Sequence, residues 1–402
     1  MENKLVITKQ QNNIVSAFFE GKDMVQVSLN TLEESSILGN IYLGKVKNII
    51  KNINAAFVEI QDGRMCYYSM SENRYPIVTS EQDYLEAEAK LTEVKVKTGD
   101  ELLVQVTKED VKTKAPVANS NLNFTGKYVA LTYGKTTIGV STKITDEKER
   151  HRLKNIAKKF EHKEYSFIVR TNAAYMPEEK IINEMQKLKI AYENIRKFGI
   201  HKSRFSCIYK TPPNYICDIR DGYAENVDEF ITDDKELYTN IKEYLELYQS
   251  EDLAKLRLYE DPTLSLTNLY GINDKLGAAL RPMVWLKSGG SLVIQPTEAL
   301  SVIDVNTGKA VSGKKKVQET FLKVNREAAK EIAKQIRLRN LSGIIIIDFI
   351  DMEEKKDNDL LMEELESYFK KDPVKTTLVD MTALGLVEVT RKKVRKPLYE
   401  QV

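Results

Sequence analysis

The chain opens on short alternating stretches. Leu5 and Ile7, then Val15, Phe18 and Phe19, then Val25, Val27 and Leu29 recur at the two-residue period of strands, separated by polar turns. Strand patterns continue from Ile41 to Met70, through Tyr42, Val46 and Ile49-Ile50 and then Ala55-Ala56-Phe57-Val58-Glu59-Ile60. Asp62-Gly63 supplies a hairpin turn ahead of Met65-Cys66-Tyr67-Tyr68. An acidic stretch over 72–93 precedes Glu101 to Val106, another strand, so this part reads as a small barrel. The period then changes. Asp146 to Phe160 predicts a charged helix, and Met176-Pro177-Glu178-Glu179 opens a second with Ile181, Ile182, Met185, Leu188 and Ile190 on one stripe, ending near Gly199. Phe205–Tyr209 and Ile216–Ile219 read as strands, followed by an acidic helix from about Asp234.

The last third has the clearest pattern. Ser291–Gln295 and Leu300–Val305 are buried-type strands, and Lys316 to Arg339 is a helix with Val317, Phe321, Val324, Ala328, Ile332 and Ile336 at three- and four-residue spacing. Ile344 to Ile350 is a continuous apolar run, which predicts a strand covered on both faces. Strand, helix, strand at this spacing predicts a parallel βαβ unit.

Length and composition narrow the reading. At 402 residues the chain exceeds the roughly 250–300 at which one core stops growing, so several domains are expected. Hydrophobic residues at 42% and charged residues at 30% exclude a disordered chain. There are 61 basic and 59 acidic residues, a net charge of +2, so any polyanion must be met by local clusters. No apolar run long enough to span a membrane occurs, and the start (Met1-Glu2-Asn3-Lys4) lacks a signal peptide's apolar core. Cys66, Cys207 and Cys217 form no C-x-x-C pair, which argues against a thiolate zinc site and for a reduced, cytoplasmic setting.

Candidate chemistry concentrates at strand ends. Asp304 and Asp348 lie near the ends of the two strands joined by the crossover, where ligands of α/β units sit, and Asn306 projects to the side of Asp304. Two carboxylates and an amide are hard oxygen donors suited to magnesium. Either Asp alone reads as a cap; the pair, flanked by Ile303, Val305, Ile347 and Phe349, favours a metal because unpaired buried charge is costly. Asp351 is read as a helix cap before Glu353. Two basic runs, Gly313-Lys314-Lys315-Lys316 and Arg391-Lys392-Lys393-Val394-Arg395-Lys396, fit solvated lysines or phosphate contacts, and in a nearly neutral chain they tilt the reading toward nucleic acid. In the barrel, Phe57 and Tyr67 fall on consecutive strands with Lys45, Lys47, Lys108, Lys112 and Lys114 nearby. Aromatics among lysines suit single-stranded nucleic acid, although one strand aromatic is usually core. Arg170-Thr171 at a strand end could hold a phosphate or be a structural turn. His151, His162 and His201 read as solvated residues on helical faces, and there is neither a Walker loop nor a dinucleotide fingerprint.

Together these segments resemble the ribonuclease E/G family. The resemblance is carried by Thr297–Asn306, by Glu327–Arg339 running on to Ile347-Asp348-Phe349-Ile350-Asp351-Met352, by Gly39–Val46 with Ala55–Val58, by Ile168-Val169-Arg170-Thr171, and by Leu384–Glu388 with Thr390-Arg391-Lys392. It implies a multidomain α/β (α+β) architecture. An RNase H-like part would be split between 1–37 and 216–279, with an S1 (OB-fold) RNA-binding barrel over 38–124 and a 5′-sensor domain over 125–215. A DNase I-like catalytic domain would occupy 280–402. It further implies a magnesium-dependent endoribonuclease cutting single-stranded A/U-rich RNA to 5′-phosphate and 3′-hydroxyl ends in RNA processing and decay. Asp304 and Asp348 would hold the metal, and Asn306 would position Asp348 or the scissile phosphate. Phe57, Tyr67, Lys108 and Lys114 would grip RNA; Gly126, Ala130, Arg170 and Thr171 would sense a 5′-monophosphate. The alternative is a non-cleaving RNA-binding factor of the same architecture. The family's C-x-x-C zinc link is absent up to Val402, so a homodimer joined by zinc is not supported. Arg326, Asn340-Leu341-Ser342-Gly343, Lys143 and Lys375 also depart from the family pattern, and a lysine cannot grip as an arginine does.

Overall fold

A computed structural model describes residues 2–31, 36–79, 91, 93–109, 115–221, 227–308 and 317–402. The chain separates into two compact units, one made of Met1–Glu34 with Gly222–Val402 and the other of Ser35–Asp221. The first unit begins with an antiparallel meander, β1 (Asn3–Gln10), β2 (Asn13–Glu20) and β3 (Asp23–Thr31). Leu5, Val6 and Ile7 are all fully buried, so both faces of β1 are covered at its centre.

In the second unit, β4 (Ile41–Ile50), β5 (Ala55–Gln61), β6 (Arg64–Ser69), β7 (Glu101–Lys108) and β8 (Val117–Asn119) close an OB-like barrel in the order β4-β5-β6-β8-β7, with β7 pairing back onto β4. The expected turn at Asp62-Gly63 is present, with Gly63 at φ +74°. Val46, Ala56, Val58, Ile60, Cys66 and Tyr68 fill the interior. Gly44 is needed on the inner wall, since a Cβ there would lie 2.6 Å from Val58 Cγ1.

A four-stranded sheet follows, built from β9 (Asn123–Thr125), β10 (Val129–Tyr133), β11 (Gly139–Val140) and β12 (Tyr165–Val169) in the order β11-β12-β10-β9. It carries α1 (Glu147–Lys158), capped by Asp146, and α2 (Glu178–Gly199), which starts after Pro177. Next come β13 (Cys207–Tyr209), added to β4, and α3 (Asn214–Asp221). Ile216–Ile219, expected as a strand, is the middle of α3. Tyr215, Ile216, Cys217, Asp218 and Ile219 are all buried, which erases the polar face that would announce a helix, while Pro212-Pro213 supply its start. His162 is likewise not helical: it lies between α1 and β12, stacked on Tyr165 with ring centroids 4.2 Å apart.

The first unit resumes with β14 (Glu229–Thr232), parallel to β1, then α4 (Lys235–Tyr248), β15 (Leu256–Leu258), α5 (Leu266–Leu269) and α6 (Ile272–Leu280), giving a sheet ordered β15-β14-β1-β2-β3. A second sheet contains β16 (Met283–Trp285), β17 (Ser291–Pro296), β18 (Leu300–Asn306), β19 (Gly343–Asp348), β20 (Thr376–Met381) and β21 (Leu386–Arg391), in the order β16-β17-β18-β19-β21-β20. The expected βαβ crossover is present, with α7 (Val317–Leu338) joining parallel β18 and β19. With α8 (Lys355–Phe369), α7 packs on Ile294, Ile303, Val305, Ile345, Ile347, Val387 and Val389. Arg326 of α7 meets Glu364 of α8 through Nε at 2.9 and 3.0 Å. The expectation that β19 is covered on both faces fails. Its Ile345 and Ile347 are buried, but Ile344 on the other face is 50% exposed, because both helices lie on one side. Among the described residues no helix is long and apolar enough to cross a membrane.

Candidate functional site

The parallel pairing of β18 with β19 sets Ile303 beside Ile347 and Asp304 beside Asp348. Strand alternation sends the isoleucines into the helix-covered core and both aspartates to the opposite face. The flanking apolar residues therefore do not bury the carboxylates as expected; Asp348 is exposed and Asp304 half-buried. Asn306 Nδ2 donates to Asp304 Oδ2 at 2.7 Å, so the amide orients Asp304. Partial burial, then the charges of Asp304 and Asp351, push the Asp348 carboxyl above its ordinary value. That repulsion is what a cation would relieve. Two carboxylates side by side, one steadied by an amide, fit a magnesium ion that keeps waters and accepts phosphate oxygen. No cluster of three or more His, Cys, Asp or Glu suited to a metal occurs among the described residues.

Asp351 does not cap a helix. Helix α8 begins at Lys355 with Glu354 at its N-cap, and Asp351 stays in the loop beside Asp348 and the Gly385 turn. That loop is held by Asn325, fully buried on α7. Its Nδ2 donates to the Ile350 carbonyl at 2.8 Å, and its Oδ1 accepts the Ile350 N–H at 3.1 Å. Asn325 had no motif spacing of its own to single it out, being one polar residue on a helical apolar stripe.

On the barrel, Phe57 pairs with Tyr67, Tyr67 with Val117, and Val117 with Lys108, so these form one row across β5, β6, β8 and β7. Their neighbours Ala56, Val58, Cys66 and Tyr68 point inward, which puts the Phe57 and Tyr67 rings outside, edge to face at 6.2 Å. Lys47 is paired with Glu59 at 2.8 Å, and Lys112 and Lys114 lie outside the described residues.

Gly126, Ala130, Arg170 and Thr171 meet at one end of the four-stranded sheet. Ala130 is 9% exposed and paired with Thr125 and Ile168 on either side. Arg170 Nη1 donates to the Gly126 carbonyl and pairs with Asp221 Oδ1 at 2.9 Å, while Thr171 Oγ1 lies 2.9 Å from Ser141 Oγ. The Gly126 turn aims the N–H groups of Lys127, Tyr128 and Val129 at the Glu184 carboxylate, at 2.7, 2.7 and 2.8 Å. A Cβ at position 126 would overlap that carboxyl. Burial pushes Glu184 up against the pull of those three donors. Ser141, Glu184 and Asp221 were not legible in the sequence, because each reaches the pocket from a distant segment.

Of the two basic runs, residues 309–316 lie outside the described residues. In the other, Arg391 is 3% exposed and bonded to Asp372 at 2.7 Å and to Asn340 Oδ1 at 2.7 Å. It is a structural arginine, whereas Lys392 and Lys393 are exposed.

The family model for the Ribonuclease E/G family matches residues 123–394. The chain belongs to the ribonuclease E/G family. The match takes in the four-stranded sheet and the whole α7–α8 sheet, so it covers both Arg170 and the aspartate pair. Similar proteins include Ribonuclease E of Nostoc, 33% identical over 99% of this chain and 57% of that protein. Ribonuclease G of Haemophilus influenzae is 32% identical over 98% of this chain and 80% of that protein. Ribonuclease G of Escherichia coli K12 is 30% identical over 99% and 81% respectively. The chain thus spans under three fifths of the length of the ribonuclease E relative from Nostoc.

Proposed function

We propose that this ribonuclease E/G family member is a magnesium-dependent endoribonuclease of the cytoplasm. It cuts single-stranded A/U-rich RNA, leaving 5′-phosphate and 3′-hydroxyl ends, in RNA processing and decay. The observation that carries this is the register of Asp304 beside Asp348 on the open face of a parallel strand pair. The two carboxylates would hold the ion, with Asn306 steadying Asp304 through its hydrogen bond to Oδ2. A bound magnesium ion supplies Lewis acidity toward a water and a phosphate oxygen. Asn325 keeps the strand end that bears Asp348 in place through Ile350. Phe57 and Tyr67 offer faces on which bases stack, with Lys108 in the same row for phosphate. Arg170 and Thr171 supply a guanidinium and a hydroxyl for a 5′-terminal phosphate.

The names carried by the relatives and the family match support the activity; the register of the aspartates supports the metal. An RNase H-like sheet split between 1–37 and 216–279 is supported by the return of the chain to lay β14 beside β1 and β15 beside β14. S1, 5′-sensor and DNase I-like assignments for 38–124, 125–215 and 280–402 follow the barrel, the Arg170 sheet and the aspartate sheet.

The test is cleavage of a short 5′-monophosphorylated A/U-rich RNA and its 5′-hydroxyl twin, in magnesium and in EDTA. Cutting should require magnesium and vanish in Asp304→Asn and Asp348→Asn, while RNA affinity persists. Loss of binding in step with cutting would sink the metal assignment. Tight binding with no cutting by the unaltered chain would mean an RNA-binding factor instead.

A further inference from the structure

The 5′-phosphate reading gives Arg170 a task, and the groups around it show how its side chain is held. Its Nη1 corner is occupied, by the Gly126 carbonyl and by Asp221 Oδ1 at 2.9 Å. Among the described residues its Nε and Nη2 have no hydrogen-bond partner, and that edge is the one a guanidinium uses for bidentate grip of an oxyanion. Asp221 is itself clamped. Arg220 donates through Nε to Oδ1 at 3.0 Å and through Nη2 to Oδ2 at 3.1 Å, and its Nη1 reaches the Thr125 carbonyl at 3.3 Å. Asn172 Nδ2 holds the Asp221 carbonyl at 3.2 Å. Burial alone would raise the Asp221 carboxyl, but the Arg220 and Arg170 charges outweigh it and keep the group ionised below its usual range. With Arg220 on its other side, the Asp221 carboxylate is shared between two guanidinium groups and does not cancel the charge of Arg170, while Glu184, which also feels Arg170, is held by three backbone N–H groups.

We propose that Asp221, clamped by Arg220, is a positioning residue that fixes Arg170 by its Nη1 corner and presents the Nε–Nη2 edge to a 5′-terminal phosphate. The proposal rests on the 5′-phosphate reading and adds the reason for its selectivity. A free arginine side chain loses rotamer freedom when it binds, whereas one already fixed at its corner loses little. The opposing possibility is that Asp221 competes with the phosphate for Arg170. The two differ in sign.

The experiment uses the full chain and compares kcat/KM for the monophosphorylated RNA with that for its hydroxyl twin. Both rates come from one preparation, so the ratio does not depend on how much of a variant is folded. Asp221→Ala should lower the ratio by about tenfold, equivalent to about 1.4 kcal/mol. The change should appear in KM of the phosphorylated RNA rather than in kcat. In an Arg170→Ala background, Asp221→Ala should lower the ratio no further. Arg220→Gln, which leaves Asp221 unclamped and its charge opposed to Arg170 alone, should lower the ratio too and serves if Asp221→Ala does not fold. An unchanged or raised ratio in Asp221→Ala, or no change in Arg220→Gln, overturns the proposal. If the ratio falls in Arg170→Ala but not in Asp221→Ala, the 5′-phosphate reading stands and only this proposal fails. A ratio of one in the unaltered chain removes both.

Discussion

Asn325 shows how a single buried amide serves a site it does not touch. Its two hydrogen bonds to the backbone of Ile350 satisfy a donor and an acceptor at the point where β19 has ended and the chain turns toward α8. Asparagine is suited to this because one flat group offers both roles. In Asn325→Leu the side chain still fills the space, but the half-buried N–H and carbonyl of Ile350 lose their partners. A buried unsatisfied group costs about 1–3 kcal/mol and a half-buried one less, so the variant should lose about 1–3 kcal/mol of unfolding free energy in a denaturant titration. Cleavage by whatever fraction remains folded should fall as well, since Asp348 lies two residues before Ile350. A variant as stable as the parent would mean that water or a rearranged loop replaces the amide. The neighbouring carboxylates were readable from their residue types and spacing. Asn325 was not, because nothing in its local sequence separates it from any polar residue on a helix.

The elements that surround these residues differ in how plainly the sequence announces them. In the barrel, the alternation Ala55-Ala56-Phe57-Val58 against Cys66-Tyr67-Tyr68 already places Phe57 and Tyr67 on one face, and the register sets them opposite each other. Phe57→Ala should therefore weaken binding of a single-stranded RNA by about 1–3 kcal/mol in a titration while leaving the barrel folded; unaltered affinity would assign the ring to packing alone. The α7 stripe and the β18–α7–β19 crossover were equally legible, because a long amphipathic helix between two apolar runs admits few alternatives. Helix α3 was read as a strand because its burial on all sides hides the period, and the sidedness of β19 was misread because four isoleucines suit a strand covered on one face or two. Helix α1 permits a sharper test. Its Glu149 is buried, accepts Arg152 Nε at 2.8 Å and Nη2 at 2.7 Å, and also takes the N–H of Tyr175 at 2.7 Å, holding that residue at φ 58°. The Arg152 hydrogen bonds, against the opposing effect of burial, hold the carboxyl below its ordinary value of 4.5. The unfolded chain takes up this proton first as the pH falls, so the stabilisation is complete above about pH 4.5 and disappears as the pH drops through the lower folded value. Glu149→Gln should thus be less stable than the parent by about 1.5–3 kcal/mol at pH 7, with the gap closing in acid. A gap that stays constant down to pH 3 would exclude the ion pair as its source.

At the scale of the molecule, the first unit is assembled from two separated stretches of chain, whereas Ser35–Asp221 is continuous. The second unit also carries its own cores. One cluster fills the barrel, and another joins Ile41, Leu43 and Leu103 of the barrel to Phe124, Leu131, Phe167, Met185 and Tyr192 of the four-stranded sheet and α2. A polar staple crosses the same boundary: Gln105 of β7 donates to the Asn123 carbonyl at 2.9 Å and accepts the Asn123 N–H at 2.7 Å. Shared apolar packing with satisfied polar groups is what makes two substructures melt as one. The segment Ser35–Asp221 expressed alone should therefore fold and unfold in a single calorimetric transition, and Gln105→Ala should lower its midpoint because the Asn123 groups are left unpaired. Two separated transitions would show that barrel and sheet are independent. The same fragment contains Phe57, Tyr67, Lys108 and Arg170 but neither Asp304 nor Asp348. It should bind single-stranded RNA with an affinity that falls as salt rises, and should not cut it in magnesium. Cutting by the fragment would place the chemistry in the second unit and overturn the metal-holding role of Asp304 and Asp348.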